Sequence, residues 1–185
     1  MGLGLNNIEE FKLPEPKYFD EEGNEQPINL AVVPSDLAQY EYENTTNLIK
    51  TYFKKNICDY SPIRVVSEKG YFDWTPFGFG FQDEYNNEYW LGRINDVFPE
   101  VHENKIQYKD CINGIDEEFI VEPGKLKHNT ILNYLPQHDG SLVGSNVSFV
   151  VEGKMDFTST ISMFVDDVLQ SDDFATQKSI VLFRH

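Results

Sequence analysis

The stretch that decides the fold is KIQYKDCINGIDEEFIVEPGKLKHNTIL, residues 105–132. Apolar residues alternate with polar ones in three short runs, which is typical of half-buried β-strands. Two turn dipeptides, Asn113-Gly114 and Pro123-Gly124, separate the runs. Asparagine and glycine tolerate positive φ, and proline sets the first corner of a turn. The stretch therefore predicts antiparallel strands joined by tight turns.

Two further features of this stretch fit the same interpretation. Asp116 follows the first turn closely, and we expect its carboxylate to accept hydrogen bonds from turn amides. Phe119 and Val121 are two positions apart, so both side chains lie on one face of their strand and fill it. These residues serve folding, and none of them requires a substrate.

Similar units of strand and turn occur along the rest of the chain. Residues 44–55 fit both a helical stripe and a strand. Short strands at regular spacing indicate a mostly β, β-sandwich-like antiparallel domain with at most one or two short helices. The clearest helix start is Ser35, a candidate N-cap. The other predicted strands are residues 28–33, 63–66, 71–75, 147–151, 160–165 and 179–183, and residues 85–90 form a hairpin with Asn86-Asn87 in its turn.

Two glycines, Gly78 and Gly80, alternate with Phe77, Phe79 and Phe81. In a strand this pattern places phenylalanines on one face and leaves the other face without side chains. We expect another part of the chain to pack closely over the glycine side.

We divide the chain into an extended N-terminal arm, residues 1–27, and a single β-rich domain, residues 28–185. Residues 1–27 are polar and proline-containing, and residues 21–24 are typical of a turn. The last residues, 179–185, form a strand-like run with no turn after it, so we expect the chain to be a fragment of a longer one.

The charge balance narrows the classes of partner. The chain has 31 acidic and 15 basic residues, for a formal net charge of -16. This field repels polyanions, so we expect no nucleic-acid partner and no binding to anionic membranes. No run approaches the ~20 apolar residues of a membrane span.

No catalytic motif is present in the sequence. It contains no Gly-x-Ser-x-Gly, no phosphate loop and no dinucleotide fingerprint. The four histidines lack zinc-ligand spacing, and Cys58 and Cys111 fit either one disulfide or two free thiols. We therefore assign no catalytic or cofactor-binding residue and predict a protein that is not an enzyme. An acid-pair glycoside hydrolase is the second alternative, because carboxylates are abundant.

Calcium is the one ion for which the sequence offers ligands, since it prefers many oxygen atoms. The candidate cluster lies at the tip of the predicted hairpin and comprises Asp83, Glu84, Asn86, Asn87 and Glu88. Two glycosylation acceptors, Asn44 and Asn146, become relevant if the protein is exported.

The dense aromatic set between residues 71 and 90 has two interpretations. Buried, the rings form a hydrophobic core; exposed, they stack on sugar rings. The first alternative function is therefore a carbohydrate-binding module that uses Tyr71, Trp74, Tyr89 and Trp90.

Residues 106–132 also resemble a β-domain of large archaeal cell-surface proteins of the methanogen type. The similarity lies in Tyr108, the Gly114-Ile115-Asp116 turn and residues 123–127. Residues 47–53 are similar to an upstream segment of such proteins, and this similarity favours a strand in residues 44–55. The sequence departs from that pattern in having His128 where an acidic residue is usual and Glu117 where an aliphatic one is typical.

The resemblance implies a structural or adhesive domain of an extracellular surface that acts through protein–protein contacts with itself or with other surface proteins. We expect a cell-surface location if a leader has been removed. Otherwise we expect a filament or virion protein of the same hosts, or a cytoplasmic one.

Overall fold

The computed structural model describes residues 16–144, 146–165, 168–170 and 180–182. Every regular element in these residues is a β-strand, which confirms the predicted mostly β fold. The strands are β1 (Lys17–Phe19), β2 (Glu25–Pro27), β3 (Val33–Pro34), β4 (Tyr42–Asn44), β5 (Lys50–Phe53), β6 (Ile63–Ser67), β7 (Gly70–Asp83), β8 (Glu88–Arg93), β9 (Pro99–His102), β10 (Lys105–Ile112), β11 (Ile115–Glu122), β12 (Lys125–Leu132), β13 (Val147–Phe157), β14 (Met163–Val165), β15 (Val168–Gln170) and β16 (Ile180–Leu182).

The strands form antiparallel sheets. A seven-stranded sheet, here the large sheet, has the order β13-β7-β6-β5-β4-β3, with β8 pairing to another part of β7. A four-stranded sheet has the order β12-β11-β10-β9. Smaller sheets are the β1–β2 hairpin and the three-stranded sheet β15-β14-β16.

The core lies between the large sheet and the four-stranded sheet. Phe53 and Phe79 of the large sheet are fully buried, as are Tyr108 and Phe119 of the four-stranded sheet. The rings of Phe53 and Phe119 lie 6.1 Å apart, and the Tyr108 hydroxyl donates to the carbonyl of Lys54 at 2.7 Å. Contact between two inner faces is the arrangement of a β-sandwich.

The predicted turns form as the sequence indicates. Gly114 and Gly124 have φ of 76° and 70°, and Asn86 has φ of 63°. The three-stranded meander predicted from residues 105–132 is therefore β10, β11 and β12. Asp116 does not accept from the Gly114 amide of this turn as expected, because that amide donates to the Asp110 carboxylate at 2.7 Å; Asp116 instead accepts from the amide of Asp110 at 2.8 Å.

The helix predicted from Ser35 does not form, and residues 36–39 make a turn instead. The Ser35 hydroxyl accepts from the amide of Leu37 at 3.1 Å, as an N-cap would, but the chain then reverses. The reversal occurs because β3 pairs with β4, bringing Val33 opposite Glu43. Tertiary pairing outweighs a weak local helix signal here.

The strand predicted for residues 28–33 is also largely absent, since only Val33 lies in a strand. The backbone instead bonds to separate partners: the amide of Asn29 to the carbonyl of Thr46, and the amide of Val32 to the carbonyl of Glu103. This segment therefore links the large sheet to the β9–β10 turn.

Part of the predicted arm is folded. Residues 17–27 form the β1–β2 hairpin, and Gly23 has φ of 82° in its turn. Lys50 of β5 forms an ion pair at 2.9 Å with Glu21 of this turn. Residues 1–15 lie outside the described residues.

The glycine side of β7 is covered as predicted. A Cβ at Gly80 would lie 2.6 Å from the carbonyl oxygen of Tyr89 and 2.7 Å from the ring of Trp90. Phe77 is an extra residue in β7, because Pro76 pairs with Gly153 and Gly78 pairs with Glu152. Because of this bulge, even-numbered residues such as Trp74 face the core before Phe77, and odd-numbered residues such as Phe79 face it afterwards.

Candidate functional site

A row of polar side chains crosses the outer face of the large sheet, away from the core. The register pairs Glu43 of β4 with Tyr52 of β5, Tyr52 with Arg64 of β6, and Arg64 with Asp73 of β7. Asp73 pairs in turn with Asp156 of β13. Because directly paired residues share a face, five strands contribute to one continuous row.

Arg64 and Asp73 form the strongest interaction in this row. Nε and Nη2 of Arg64 each lie 2.7 Å from a different carboxylate oxygen of Asp73, so the pair is bidentate. The hydrogen bonds to Asp73 raise the pKa of Arg64 above its usual range. The guanidinium also lies 4.2 Å from the centre of the Tyr71 ring. The pair thus has fixed geometry, which is unusual for a surface ion pair.

A second carboxylate, Asp156, lies directly across the strand pair from Asp73. It accepts from Nζ of Lys154 at 2.8 Å and from the Tyr60 hydroxyl at 2.7 Å. These hydrogen bonds lower the pKa of Asp156, which keeps the carboxyl ionised. Like charges directly opposite one another destabilise a sheet, so Arg64 and Lys154 offset the repulsion between the two aspartates.

The row opens into a cavity of about 380 Å³, here called the tyrosine pocket. Two loops, before β4 and after β5, supply the walls that the sheet does not. The lining residues are Gln39, Tyr40, Lys54, Tyr60, Ser61, Arg64, Tyr71, Asp73, Asp156 and Phe157.

The tyrosines of the pocket differ in exposure. Tyr40 is buried and its ring centre lies 5.1 Å from that of Tyr52. Tyr60 is 63% exposed at the rim, and Tyr71 is 36% exposed. The pocket therefore has a fixed aromatic wall and two rings that a ligand can reach.

Ser61 is the most unusual residue of the pocket. Its φ is 50°, a left-handed value that is uncommon for a residue with a side chain. Its amide donates to the Thr75 hydroxyl at 3.0 Å, but within the described part of the chain its buried Oγ has no hydrogen-bond partner. Backbone strain and unsatisfied buried polar groups both concentrate at functional sites.

The four aromatic residues proposed for carbohydrate binding do not form one platform. Tyr71 lines the tyrosine pocket, whereas Trp74 faces the core on the opposite side of β7 and lies 6.1 Å from the His128 ring. Trp90 covers Gly80, and Tyr89 contacts His138 from the other face of β8. A sugar bound to all four at once is therefore excluded by their positions.

The predicted calcium residues lie together at the tip of the β7–β8 hairpin, where they build the turn. Both oxygens of Asp83 accept protein hydrogen bonds, from the amides of Tyr85, Asn87 and Val143 and from the Asn87 side chain. Burial raises the pKa of Asp83, but these hydrogen bonds outweigh it and hold that pKa below its usual range.

The other members of the calcium cluster are partly engaged as well. Glu88 accepts from Gln82 at 3.3 Å and from the Trp90 indole at 3.1 Å. Among the residues that the structure describes, no three His, Cys, Asp or Glu side chains are arranged to hold a metal ion. Calcium binding remains a prediction.

The two glycosylation acceptors are in different environments. Asn44 is 1% exposed, and its Nδ2 donates to the carbonyls of Asn29 and Ala31 at 2.8 and 2.9 Å. A folded chain therefore cannot present Asn44 to an enzyme that attaches a glycan. Asn146 is exposed, and its modification remains a prediction.

Three consecutive acidic residues, Asp116, Glu117 and Glu118, are buried, which their charge alone does not predict. Glu117 is fully buried in the core, where it contacts Nε2 of His128 and accepts from the Thr130 hydroxyl at 2.6 Å. The His128 ring stacks on Phe119 with centres 4.6 Å apart. The two residues that depart from the archaeal pattern, Glu117 and His128, are thus partners of one another.

Neither cysteine is part of a disulfide. Cys58 is exposed and Cys111 is buried. Burial raises the pKa of the Cys111 thiol to about 12, so this side chain is a protonated core residue. A reactive thiolate requires the opposite shift.

Comparisons with protein-family models, with curated proteins and with solved structures found no match. In the described residues, no helix has the length and apolar character needed to cross a bilayer. The assignment of function therefore depends on the geometry of this chain.

Sequence analysis missed most of the pocket, including Tyr60, Ser61, Arg64, Asp73 and Asp156. One pair of the pocket lies within a single hairpin. Ser67 pairs with Gly70, so Glu68-Lys69 form the turn between β6 and β7, and this register places Arg64 opposite Asp73; a turn at Lys69-Gly70 would have placed Arg64 opposite Thr75. The contact of Tyr60 with Asp156 joins residues 96 positions apart and had no local signal.

Proposed function

We propose that this chain is a non-enzymatic structural or adhesive domain of a cell-surface, filament or virion assembly, acting through contacts with further copies of itself. The observation that carries the proposal is the edge of the large sheet. β13 is 11 residues long, and within the described part of the chain it pairs with β7 alone.

A long edge strand is a template for strand addition by another chain. Most strands have about 5–6 residues, and monomeric proteins usually keep edge strands short or interrupt them. At about 3.3 Å per residue, β13 offers an edge of roughly 35 Å. Lys154 and Asp156 of β13 pair with each other, so together with Glu152 the strand carries a formal net charge of only -1 to oppose a second copy.

The electrostatics of the pocket support a binding role in preference to hydrolysis. An acid-pair glycosidase needs one carboxyl group that is protonated near neutral pH. The pKa of Asp156 is lowered by Lys154 and Tyr60, so this carboxyl is ionised and is not suited to donate a proton.

Light scattering after size-exclusion chromatography tests the proposal, over a range of protein and salt concentrations, with electron microscopy of the largest species. We expect concentration-dependent oligomers or filaments. Val151→Lys, on the β13 edge, should weaken them, because lysine on an edge disfavours strand addition. Val143→Lys, at an exposed loop position, is the matched control. A monomer at every concentration, or equal effects of the two variants, contradicts the proposal.

A further inference from the structure

We propose that the tyrosine pocket binds a neutral saccharide, at a site different from the four aromatic residues considered from the sequence. This inference does not depend on assembly through β13. Asp156 and Phe157 of that strand line the pocket through their side chains, whereas strand addition would use the backbone groups of the β13 edge. The inference rests on the size, chemistry and charge of the pocket.

The size suits one or two sugar units. The cavity of about 380 Å³ lies at the lower end of the ~300–1,000 Å³ range of small-molecule sites. It is bounded on one side by the rigid sheet and on the other by Tyr40 and Tyr60, which come from separate loops.

The polar groups of the pocket include both donors and acceptors. Lys54 and Arg64 donate, whereas Asp73 and Asp156 accept, and each of them also has a partner within the protein. A hydroxyl group both donates and accepts, so a polyhydroxylated ring can share these donors and acceptors. Ser61 lines the pocket, but its Oγ is buried and without a partner in the described residues, so we do not count it among the groups that a ligand reaches.

The charges of the pocket favour a neutral ligand. The two cations and two carboxylates of its lining cancel, and the chain as a whole carries a formal charge of -16. An acidic sugar is repelled by that field.

An organic cation has little to gain from the pocket. The protein's own cations already lie near the reachable rings: Arg64 is 4.2 Å from the centre of Tyr71, and Lys154 is 5.4 Å from the centre of Tyr60. Each ring thus already has a cation of the protein beside it, and the exposed part of the Tyr60 ring remains for the apolar face of a sugar.

The test is binding of neutral glycans to the full chain. The probes are an array of neutral oligosaccharides, followed by saturation-transfer NMR and calorimetry with the ligands that the array identifies; sialylated glycans and choline serve as comparison probes. We expect at least one neutral glycan to bind, and Tyr60→Ala to weaken its binding by about tenfold through loss of the stacking ring.

Three variants make the result specific. Tyr85→Ala removes a tyrosine of similar exposure, 66% against 63%, from the β7–β8 turn and should leave binding unchanged. Tyr60→Phe retains the ring and should weaken binding less than Tyr60→Ala. Ser61→Ala removes a hydroxyl that is buried and has no partner in the described structure, so it should change neither binding nor the melting temperature.

Several outcomes would overturn the inference. Absence of neutral glycan binding at millimolar concentration is one, and binding of only sialylated glycans or choline is another. Equal effects of Tyr60→Ala and Tyr85→Ala would place the sugar elsewhere. A failure of the assembly experiment would leave these measurements unaffected, since they use the monomeric chain equally well.

Discussion

The Arg64–Asp73 pair makes a quantitative prediction about stability. Two variants remove one partner each: Arg64→Met retains the aliphatic stem, and Asp73→Asn retains the shape of the carboxylate. The double variant completes a thermodynamic cycle. Asp73 is 4% exposed, whereas the side chain of Arg64 is 28% exposed, so the two single losses are not equivalent.

The magnitude follows from geometry and burial. Breaking a buried ion pair by removing one partner costs ~3–5 kcal/mol, and an exposed pair contributes only ~0.2–1 kcal/mol. This bidentate pair lies between those limits, and we expect a coupling free energy of about 2 kcal/mol. For a chain of this length, a loss of about 2 kcal/mol in the free energy of unfolding lowers the melting temperature by roughly 4–8 °C.

The asymmetry between the single variants is a sharper expectation. Arg64→Met leaves a buried Asp73 carboxylate facing Asp156, whereas Asp73→Asn leaves an arginine that water can still reach. We therefore expect Arg64→Met to lower the free energy of unfolding by about 3 kcal/mol and Asp73→Asn by about 2 kcal/mol.

Urea denaturation at pH 7, followed by circular dichroism and tryptophan fluorescence, measures all four proteins. Equal slopes of the free energy of unfolding against urea concentration would show that the variants expose the same surface when they unfold. A coupling below about 0.5 kcal/mol, or a larger loss in Asp73→Asn than in Arg64→Met, would refute the reasoning.

Other parts of the fold make shorter predictions. Gly80→Ala should lower the free energy of unfolding by ~1–3 kcal/mol in urea melts, because its Cβ would meet the backbone and ring that cover β7, and a loss near zero would show that Trp90 moves aside. Tyr108→Phe should cost ~1 kcal/mol in the same assay by removing the hydrogen bond to Lys54, and an unchanged midpoint contradicts this. The pKa of Asp83 in the folded protein lies below its unfolded value of ~3.9. The ionised carboxylate therefore stabilises the fold above that pH, and this stabilisation is lost as the pH falls through the folded pKa. Asp83→Asn should reduce the dependence of the melting temperature on pH in that acid range. Millimolar CaCl2 should leave the melting temperature unchanged, because both Asp83 oxygens are engaged in the turn, and a rise would establish the calcium site predicted from sequence.

Much of the fold was predictable because local signals agreed with one another. In residues 105–132, alternation, turn residues and glycine positions all specify the same meander, and the structure contains it. Gly78 and Gly80 likewise predicted a close neighbour before its identity was known. Where a signal was weak and isolated, as at Ser35 and residues 28–33, strand pairing and distant backbone partners outweighed it.

The candidate site was much less accessible to prediction. The composition gives only the total charge, whereas the structure places Glu117 in the core and buries Asp73 beside Arg64. The aromatic residues between 71 and 90 were treated as one group, but the bulge at Phe77 and the alternation of β7 distribute them over different faces. A count of residue types cannot give these directions.

The sequence by itself determined that the chain forms short antiparallel strands with a packed core, since alternation and turn chemistry act between neighbours along the chain. Only the tertiary structure decided which polar residues meet, because the tyrosine pocket joins β6 and β7 to the loop holding Tyr60 and to Asp156 of β13, about 90 residues later in the chain. Contacts over that separation depend on sheet order and strand register, which no local pattern specifies.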